Sequence, residues 1–257
     1  MTSNRLFEKI ARSASLDFGD VLSKSFELFK KVWVQGFVHL LILLLVVVPL
    51  FFIIYIPIFA IVGLDTYYSG DTSFPKEELS IGLILLLVVV IGVIILITSA
   101  IQFAITAHFY RVCKQVDLSQ AETSSYFKFL KGPYLGKVFT LAIATFAIAI
   151  VAASLCYLPI LYVMVPLHLL VPLFAFNPEV SASHLIKASF KLGNKIWPVA
   201  FGLLLLSSIL SQLVGAFLCF IGVFVTASFV YMPVYFMYKE TIGFEEEDIQ
   251  DATLFVK

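Results

Sequence analysis

The chain has 257 residues, of which 61% are apolar and 13% are charged, and its formal net charge is zero. Together with a mean hydropathy of +1.02, these values exclude a soluble globular domain, because so few charged side chains cannot keep so much apolar surface in solution. The protein is therefore expected to lie in a lipid bilayer.

Charged residues are absent from four long stretches, which predict the transmembrane helices. They are residues 32–64, 79–110, 138–177 and 196–238. A helix needs about 20 residues to cross a bilayer, so the first two stretches predict one span each. The last two are about twice that length and predict two spans each, with turns at residues 156–159 and between Gly215 and Gly222. The predicted fold is all-α, with six spans in a single membrane domain over residues 1–257.

One short phrase occurs twice, and each copy precedes an uncharged stretch. The copies are SFELFKKVW at residues 25–33 and SFKLGNKIW at residues 189–197, with five of nine positions identical. In each copy apolar residues recur every three or four positions and lysines fall on the other side, which is typical of an amphipathic helix. The apolar face of the first copy is predicted to contain Phe18, Leu22, Phe26, Phe29 and Trp33. Gly193, in the second copy, predicts a helix end.

We expect such helices to lie in the membrane interface before spans 1, 3 and 5, the third example being a looser copy at residues 125–139. Their lysines would meet anionic headgroups and their tryptophans would lie at the acyl boundary. The predicted lipid-interface residues are Lys30, Lys31, Trp33, Lys187, Lys191, Lys195 and Trp197. The alternative is that these helices pack on one another as an ordinary soluble bundle.

Three entry helices, each leading into two spans, predict a unit used three times. The units would be residues 16–110, 119–176 and 179–239, although any amphipathic entry helix would favour Ser, Lys, Phe and Trp. Residues 241–257 form an acidic tail that contains the sequence EEEDIQD at residues 245–251. This tail is expected to be solvated and disordered, or else to dock on the basic loops or on a partner.

The lysines and arginines predict the orientation, because they collect on the cytoplasmic side of membrane proteins. With six spans and the N-terminus inside, only Lys76 of the 17 basic residues falls outside. We therefore expect a multi-pass protein of the cell's inner (plasma) membrane with both termini in the cytoplasm.

The four histidines are candidates for metal chemistry, because imidazoles at one depth can hold iron or zinc in a membrane oxygenase. His39, His108 and His168 are predicted near the cytoplasmic ends of spans, and His184 lies on the second entry helix. They lack the HxxxH spacing that places two ligands on one helix face. Such isolated histidines are more often polar boundary residues, so a metal site is a remote alternative and no cofactor is expected.

The remaining polar residues point away from catalysis. Ion-coupled transporters usually carry ionisable residues within their spans, and the uncharged stretches contain no Asp, Glu, Lys or Arg.

Cys156 and Cys219 are predicted at the two short outer turns; whether they are bridged there or are small buried apolar residues is left open. No nucleic-acid motif is present in the sequence.

Residues 172–197, PLFAFNPEVSASHLIKASFKLGNKIW, resemble a bacterial family of six-helix membrane proteins. The family includes the membrane domain of some glycerophosphodiester phosphodiesterases and largely uncharacterised stand-alone relatives. The positions that carry the resemblance are Glu179, Ala188, Ser189, Leu192, Lys195 and Trp197. The resemblance implies the architecture and not the phosphodiesterase activity, which in those enzymes belongs to a soluble catalytic domain.

The expected function is that of a non-catalytic scaffold, regulator or accessory subunit that contacts anionic headgroups of the cytoplasmic leaflet and a membrane-protein partner. The alternative is a passive transporter or lipid-handling protein, with a cavity between helices kinked at proline. A histidine–metal oxygenase is the remote third class.

Overall fold

The computed structural model describes residues 2–69, 81–120, 126–155, 158–217 and 221–244. Within these ranges it contains eight α-helices, two short 3-10 helices and no strand, which confirms the all-α prediction. The α-helices are α1 (Ser3–Arg12), α2 (Phe18–Ser69), α3 (Ile81–Asp117), α4 (Tyr134–Ser154), α5 (Leu158–Phe176), α6 (Ala182–Phe217), α7 (Ile221–Thr226) and α8 (Tyr231–Thr241). The 3-10 helices are Lys128–Leu130 and Ala227–Val230. Five helices, α2 to α6, are long and apolar enough to cross a membrane.

The third uncharged stretch is divided into two helices close to the predicted turn, because α4 ends at Ser154 and α5 begins at Leu158. Pro159 is the second residue of α5, where its missing amide proton has no partner within the helix to lose. The second predicted turn falls between α6, which ends at Phe217, and α7, which begins at Ile221.

The sixth predicted span is not one regular helix. Residues 221–241 are divided among α7, the 3-10 helix Ala227–Val230 and α8. Pro233 explains the division, because it has no amide proton to donate to the carbonyl of Phe229 four residues earlier. Pro233 stands instead in the first turn of α8, a position that proline tolerates.

The two copies of the repeated phrase do not form separate helices. Residues 25–33 lie inside α2, which is continuous for 52 residues, and residues 189–197 lie inside α6, which is continuous for 36. The prediction that Gly193 ends a helix is wrong. A Cβ atom at Gly193 would stand 2.9 Å from Cγ of Pro166 on α5, so this glycine allows two helices to approach closely.

The middle entry segment differs from the other two. Its described part, from residue 126 onwards, forms turns and the 3-10 helix Lys128–Leu130, and α4 begins only at Tyr134. Gly132 has a φ of +60° and Pro133 lacks an amide proton, so an α-helix does not continue across them. The interfacial helix expected before the third span is therefore not formed by residues 126–133.

The first and third copies nevertheless bury equivalent positions. The buried pairs are Ser25 and Ser189, Leu28 and Leu192, and Val32 and Ile196. On α2 these residues continue a stripe that starts at Val21, whereas the predicted apolar face is only partly buried. Phe18, Phe26 and Trp33 are exposed, and Leu22 and Phe29 are half-buried against the core. Smaller side chains line the closest part of the helix contact, and the aromatic side chains lie at its edge.

Candidate functional site

The starts of α2, α4 and α6 and the ends of α3, α5 and α8 meet at one end of the bundle, which we call the charged end. Its central contact is made by Asp117, at the end of α3. Oδ2 of Asp117 accepts hydrogen bonds from the hydroxyl of Tyr235 at 2.6 Å and from Nζ of Lys239 at 2.7 Å. Tyr235 is fully buried. Because charge-assisted hydrogen bonds are about twice as strong as neutral ones, this cluster fixes α3 against α8.

Asn177 makes the second contact of the charged end. It follows α5 directly and is buried; its Nδ2 donates to the hydroxyl of Tyr238 at 2.9 Å and to the carbonyl of Leu173 at 3.0 Å. Lys137 of α4 donates to the carbonyl of Pro178 in the turn that follows. These bonds join the ends of α5 and α8 and the start of α4. Neither Asn177 nor Lys137 was predicted from the sequence to have a role.

Lys24 connects α2 to α8. Its Nζ lies 2.7 Å from Asp20 Oδ2, one turn earlier, and 3.0 Å from Glu240 Oε1. Hydrogen bonds to Asp20 and then to Glu240 raise the pKa of Lys24 above its ordinary value. In contrast, burial, together with the positive charge of Arg111, lowers the pKa of Lys128.

Two of the predicted headgroup lysines contact α1 instead. Lys195 donates to three carbonyl groups at the end of α1, at 3.0 Å to Ile10, 2.9 Å to Ala11 and 2.7 Å to Ser13. It therefore caps the carbonyl groups that have no partner within that helix. Nζ of Lys191 lies 5.4 Å from the ring centre of Phe7, within cation–π distance.

The other predicted interface residues divide into two groups. Lys30, Lys31 and Lys187 are exposed, and Trp33 is 46% exposed. Trp197 packs against the protein: its Nε1 donates to the carbonyl of Tyr162 at 3.2 Å and its ring stacks on Phe201. On α2, the residues predicted to contact lipid are therefore exposed. On α6, some of the corresponding residues contact α1 and α5 instead.

The four histidines have different partners in the structure, and the remote metal-site alternative stays a prediction. Nδ1 of His168 lies 2.8 Å from the carbonyl of Met164, and Nδ1 of His184 lies 2.9 Å from Oγ of Ser181. Among the described residues, no three His, Cys, Asp or Glu side chains converge on one point. His184 also contacts the ring of Phe7 on α1, and His108 of α3 contacts the ring of Tyr126.

His39 of α2 occupies an aromatic contact inside the bundle. Its ring is fully buried and stacks on Phe109 of α3 with centres 4.6 Å apart, and the ring of Tyr231 meets it edge-on at 5.3 Å. One turn before His39, a Cβ atom at Gly36 would stand 2.3 Å from Oγ of Ser228. His39 thus serves here as an aromatic packing residue at the crossing of α2, α3 and α8.

The outer halves of α2 and α3 have few contacts with the rest of the bundle. In the most apolar 18 residues of these helices, 11% and 6% are buried, compared with 50% in α5. Large apolar side chains point outward on both helices, among them Leu45, Ile53, Leu85 and Val89. We call this pair of helices the first hairpin. Most of the exposed large apolar side chains among the described residues lie on these two helices.

Two predictions fall outside the described residues. Cys156, Cys219 and residues 245–257 of the acidic tail are not described, so the predicted bridge and the tail stay predictions. The first residues of the tail are described: the ring of Phe244 contacts Phe176, and Nζ of Lys114 lies 4.4 Å from the Phe244 ring centre.

No protein-family model matches the chain, and no similar curated protein or solved structure was found. The resemblance of residues 172–197 to the phosphodiesterase-associated membrane domain stays a prediction. Those residues cover the last turns of α5, the turn after it and the first half of α6.

Proposed function

We propose that the chain is a non-catalytic protein of a bacterial inner membrane, with six spans and both termini in the cytoplasm. In this proposal it acts as a scaffold, regulator or accessory subunit. Its first hairpin binds transmembrane helices of another membrane protein, and its charged end holds the bundle together at the cytoplasmic leaflet.

The observation that carries this proposal is the exposure of the first hairpin. Helices in a membrane associate through close packing rather than through exclusion of water, so a hairpin with little support from its own bundle is suited to packing against other helices. Its length favours the same role, because the apolar stretch at residues 32–64 would extend for about 50 Å as a helix, well beyond a hydrocarbon core of about 30 Å.

The distribution of charged groups favours a structural role over a catalytic one. Asp117 and Lys239 neutralise each other, and Lys24 is paired with carboxylates on two helices. These groups hold helix ends together, and the uncharged stretches place no ionisable carboxylate or amine along the spans. Ion-coupled transport ordinarily requires such groups within the membrane.

Site-specific photocrosslinking in living cells tests the hairpin proposal. A photoreactive amino acid at Ile53 or Val89 should crosslink to one and the same membrane protein, identified by mass spectrometry. Val151 of α4 is the matched control, because its side chain is 59% exposed and that of Val89 is 62% exposed. Equal products from Val89 and Val151, or lipid adducts alone at both hairpin positions, would refute the proposed partner surface.

Cysteine labelling tests the orientation. In a background without Cys113, Cys156 and Cys219, an impermeant reagent added to intact cells should label a probe placed at residues 67–72. A probe at residues 128–132 should react only after the cells are opened. Labelling of the second probe in intact cells would overturn the proposed topology.

A second candidate function, the handling of a lipid, is favoured by an apolar groove on the side of α2. Its lining residues come from α2, α7 and the 3-10 helix Ala227–Val230. Such a groove suits an apolar ligand that approaches from within the membrane.

A further inference from the structure

The groove beside α2 has the size and lining of an acyl-chain site. Its volume is about 300 Å³, and it is bounded by Leu40, Leu43, Leu44, Val47, Val223, Phe224 and Ala227. A water molecule occupies about 30 Å³ and a methylene group is similar in size, so the groove holds a chain segment of about ten carbons. All of the lining side chains are apolar, which excludes recognition of a polar solute.

Towards the charged end, the groove is bordered by a contact between α2 and the 3-10 helix Ala227–Val230. A Cβ atom at Gly36 would stand 2.3 Å from Oγ and 2.7 Å from Cβ of Ser228, so α2 and the 3-10 helix touch there. Beyond that contact, Phe229 packs against the rings of Phe26 and Phe29. The groove is therefore short, and a partner helix about 10 Å wide does not fit within it. A single flexible chain does.

Trp33 and Lys30 lie on α2 where the polar part of a lipid would be. Trp33 precedes Leu40 by seven residues, so it lies on the same face of the helix about 10 Å nearer the charged end. Lys30, one turn further, is exposed and lies at the edge of that face, whereas Glu27 falls on the opposite side at 100° per residue. Tryptophan favours the boundary between headgroups and chains, and lysine attracts an anionic headgroup.

We propose that this groove, Trp33 and Lys30 form a binding site for one anionic phospholipid of the leaflet at the charged end of the bundle. The site rests on the membrane placement proposed above but is independent of the first hairpin's partner. One acyl chain occupies the groove, the Trp33 ring lies beside the glycerol region, and Lys30 faces the phosphate.

Native mass spectrometry of the full chain, extracted with phosphatidylglycerol and phosphatidylcholine in equal amounts, tests the site. One phosphatidylglycerol should be retained per chain. Ala227→Leu, which fills the groove, should reduce retention about tenfold, because the displaced chain loses about ten packing contacts with the groove walls. Leu45→Phe enlarges an exposed side chain outside the groove and is the matched control that should leave retention unchanged.

Fluorescence quenching provides a readout that does not depend on the groove variant. In a Trp197→Phe background only Trp33 fluoresces, and brominated phosphatidylglycerol should quench it more strongly than brominated phosphatidylcholine at the same mole fraction. Lys30→Gln should abolish this preference, and Lys187→Gln, an exposed lysine on α6, should not. Equal quenching by both lipids in the Trp197→Phe chain, or equal lipid retention by the wild-type and Ala227→Leu chains, would overturn the proposal. Failure of the hairpin crosslinks would leave these results unaffected.

Discussion

Replacing Gly36 by alanine tests the close contact between α2 and the 3-10 helix Ala227–Val230. The new Cβ atom would stand 2.7 Å from Cβ of Ser228, whereas carbon atoms ordinarily meet at about 3.5–4.0 Å. Rotation of the serine hydroxyl does not relieve this contact, because Cβ is fixed to the backbone. The two elements must therefore separate by about 1 Å. We expect this to destabilise the protein by about 3 kcal/mol, the upper end of the cost of overpacking a core.

Helix propensity offsets part of this cost. Alanine is more favourable than glycine within a helix by up to about 1 kcal/mol, which leaves a net destabilisation of about 2 kcal/mol. Gly92 of α3 is the matched control, because a Cβ atom there meets no other atom within 4 Å. Gly92→Ala should be neutral or stabilising by up to about 1 kcal/mol.

Thermal unfolding in mild detergent, followed by size-exclusion chromatography, measures both variants. For a chain of this size about 2–4 °C corresponds to 1 kcal/mol, so the melting temperature of Gly36→Ala should be about 4–12 °C below that of Gly92→Ala. Ser228→Gly should restore most of the loss when combined with Gly36→Ala, because it removes the side chain that the new methyl group contacts. Equal stability of the two alanine variants would refute the close crossing.

Three further substitutions test contacts at the charged end. Asp117→Asn should destabilise the protein by about 1–3 kcal/mol, because Lys239 loses its carboxylate partner; unchanged unfolding in detergent would show that the pair contributes nothing. At any pH below 10.5, the ordinary pKa of lysine, Lys24→Met should have a lower melting temperature than the wild type. This difference should disappear as the pH rises through the raised pKa of Lys24, because the lysine then loses its charge. A pH-independent difference would exclude an electrostatic cause. Lys195→Met should speed hydrogen exchange of the α1 amides relative to a Lys187→Met control, and equal protection would contradict the cap.

Hydropathy was sufficient to predict the helical class and most of the long helices. The absence of charge over 20 or more residues is a local property, because every unsatisfied backbone group in hydrocarbon forces the chain into a helix whatever its neighbours are. The start of α5 near Pro159 could be predicted from local sequence as well, because proline is tolerated in the first turn of a helix. The division of the sixth span at Pro233 follows from the same chemistry, but only the structure showed that it interrupts the helix.

Only the tertiary structure decided which face of each entry segment packs inward and what the charged groups contact. Asp117 meets Tyr235 and Lys239 across separations of 118 and 122 residues, and no periodic pattern indicates that pairing. The amphipathic pattern of α2 indicated its large aromatic residues, yet the bundle buries the stripe through Ser25 and Val32, because close helix packing depends on the shape of the opposing surface. Gly193 shows the same limit: its missing side chain is equally suited to a helix end and a helix crossing, and the position of Pro166 on α5 determines which one forms.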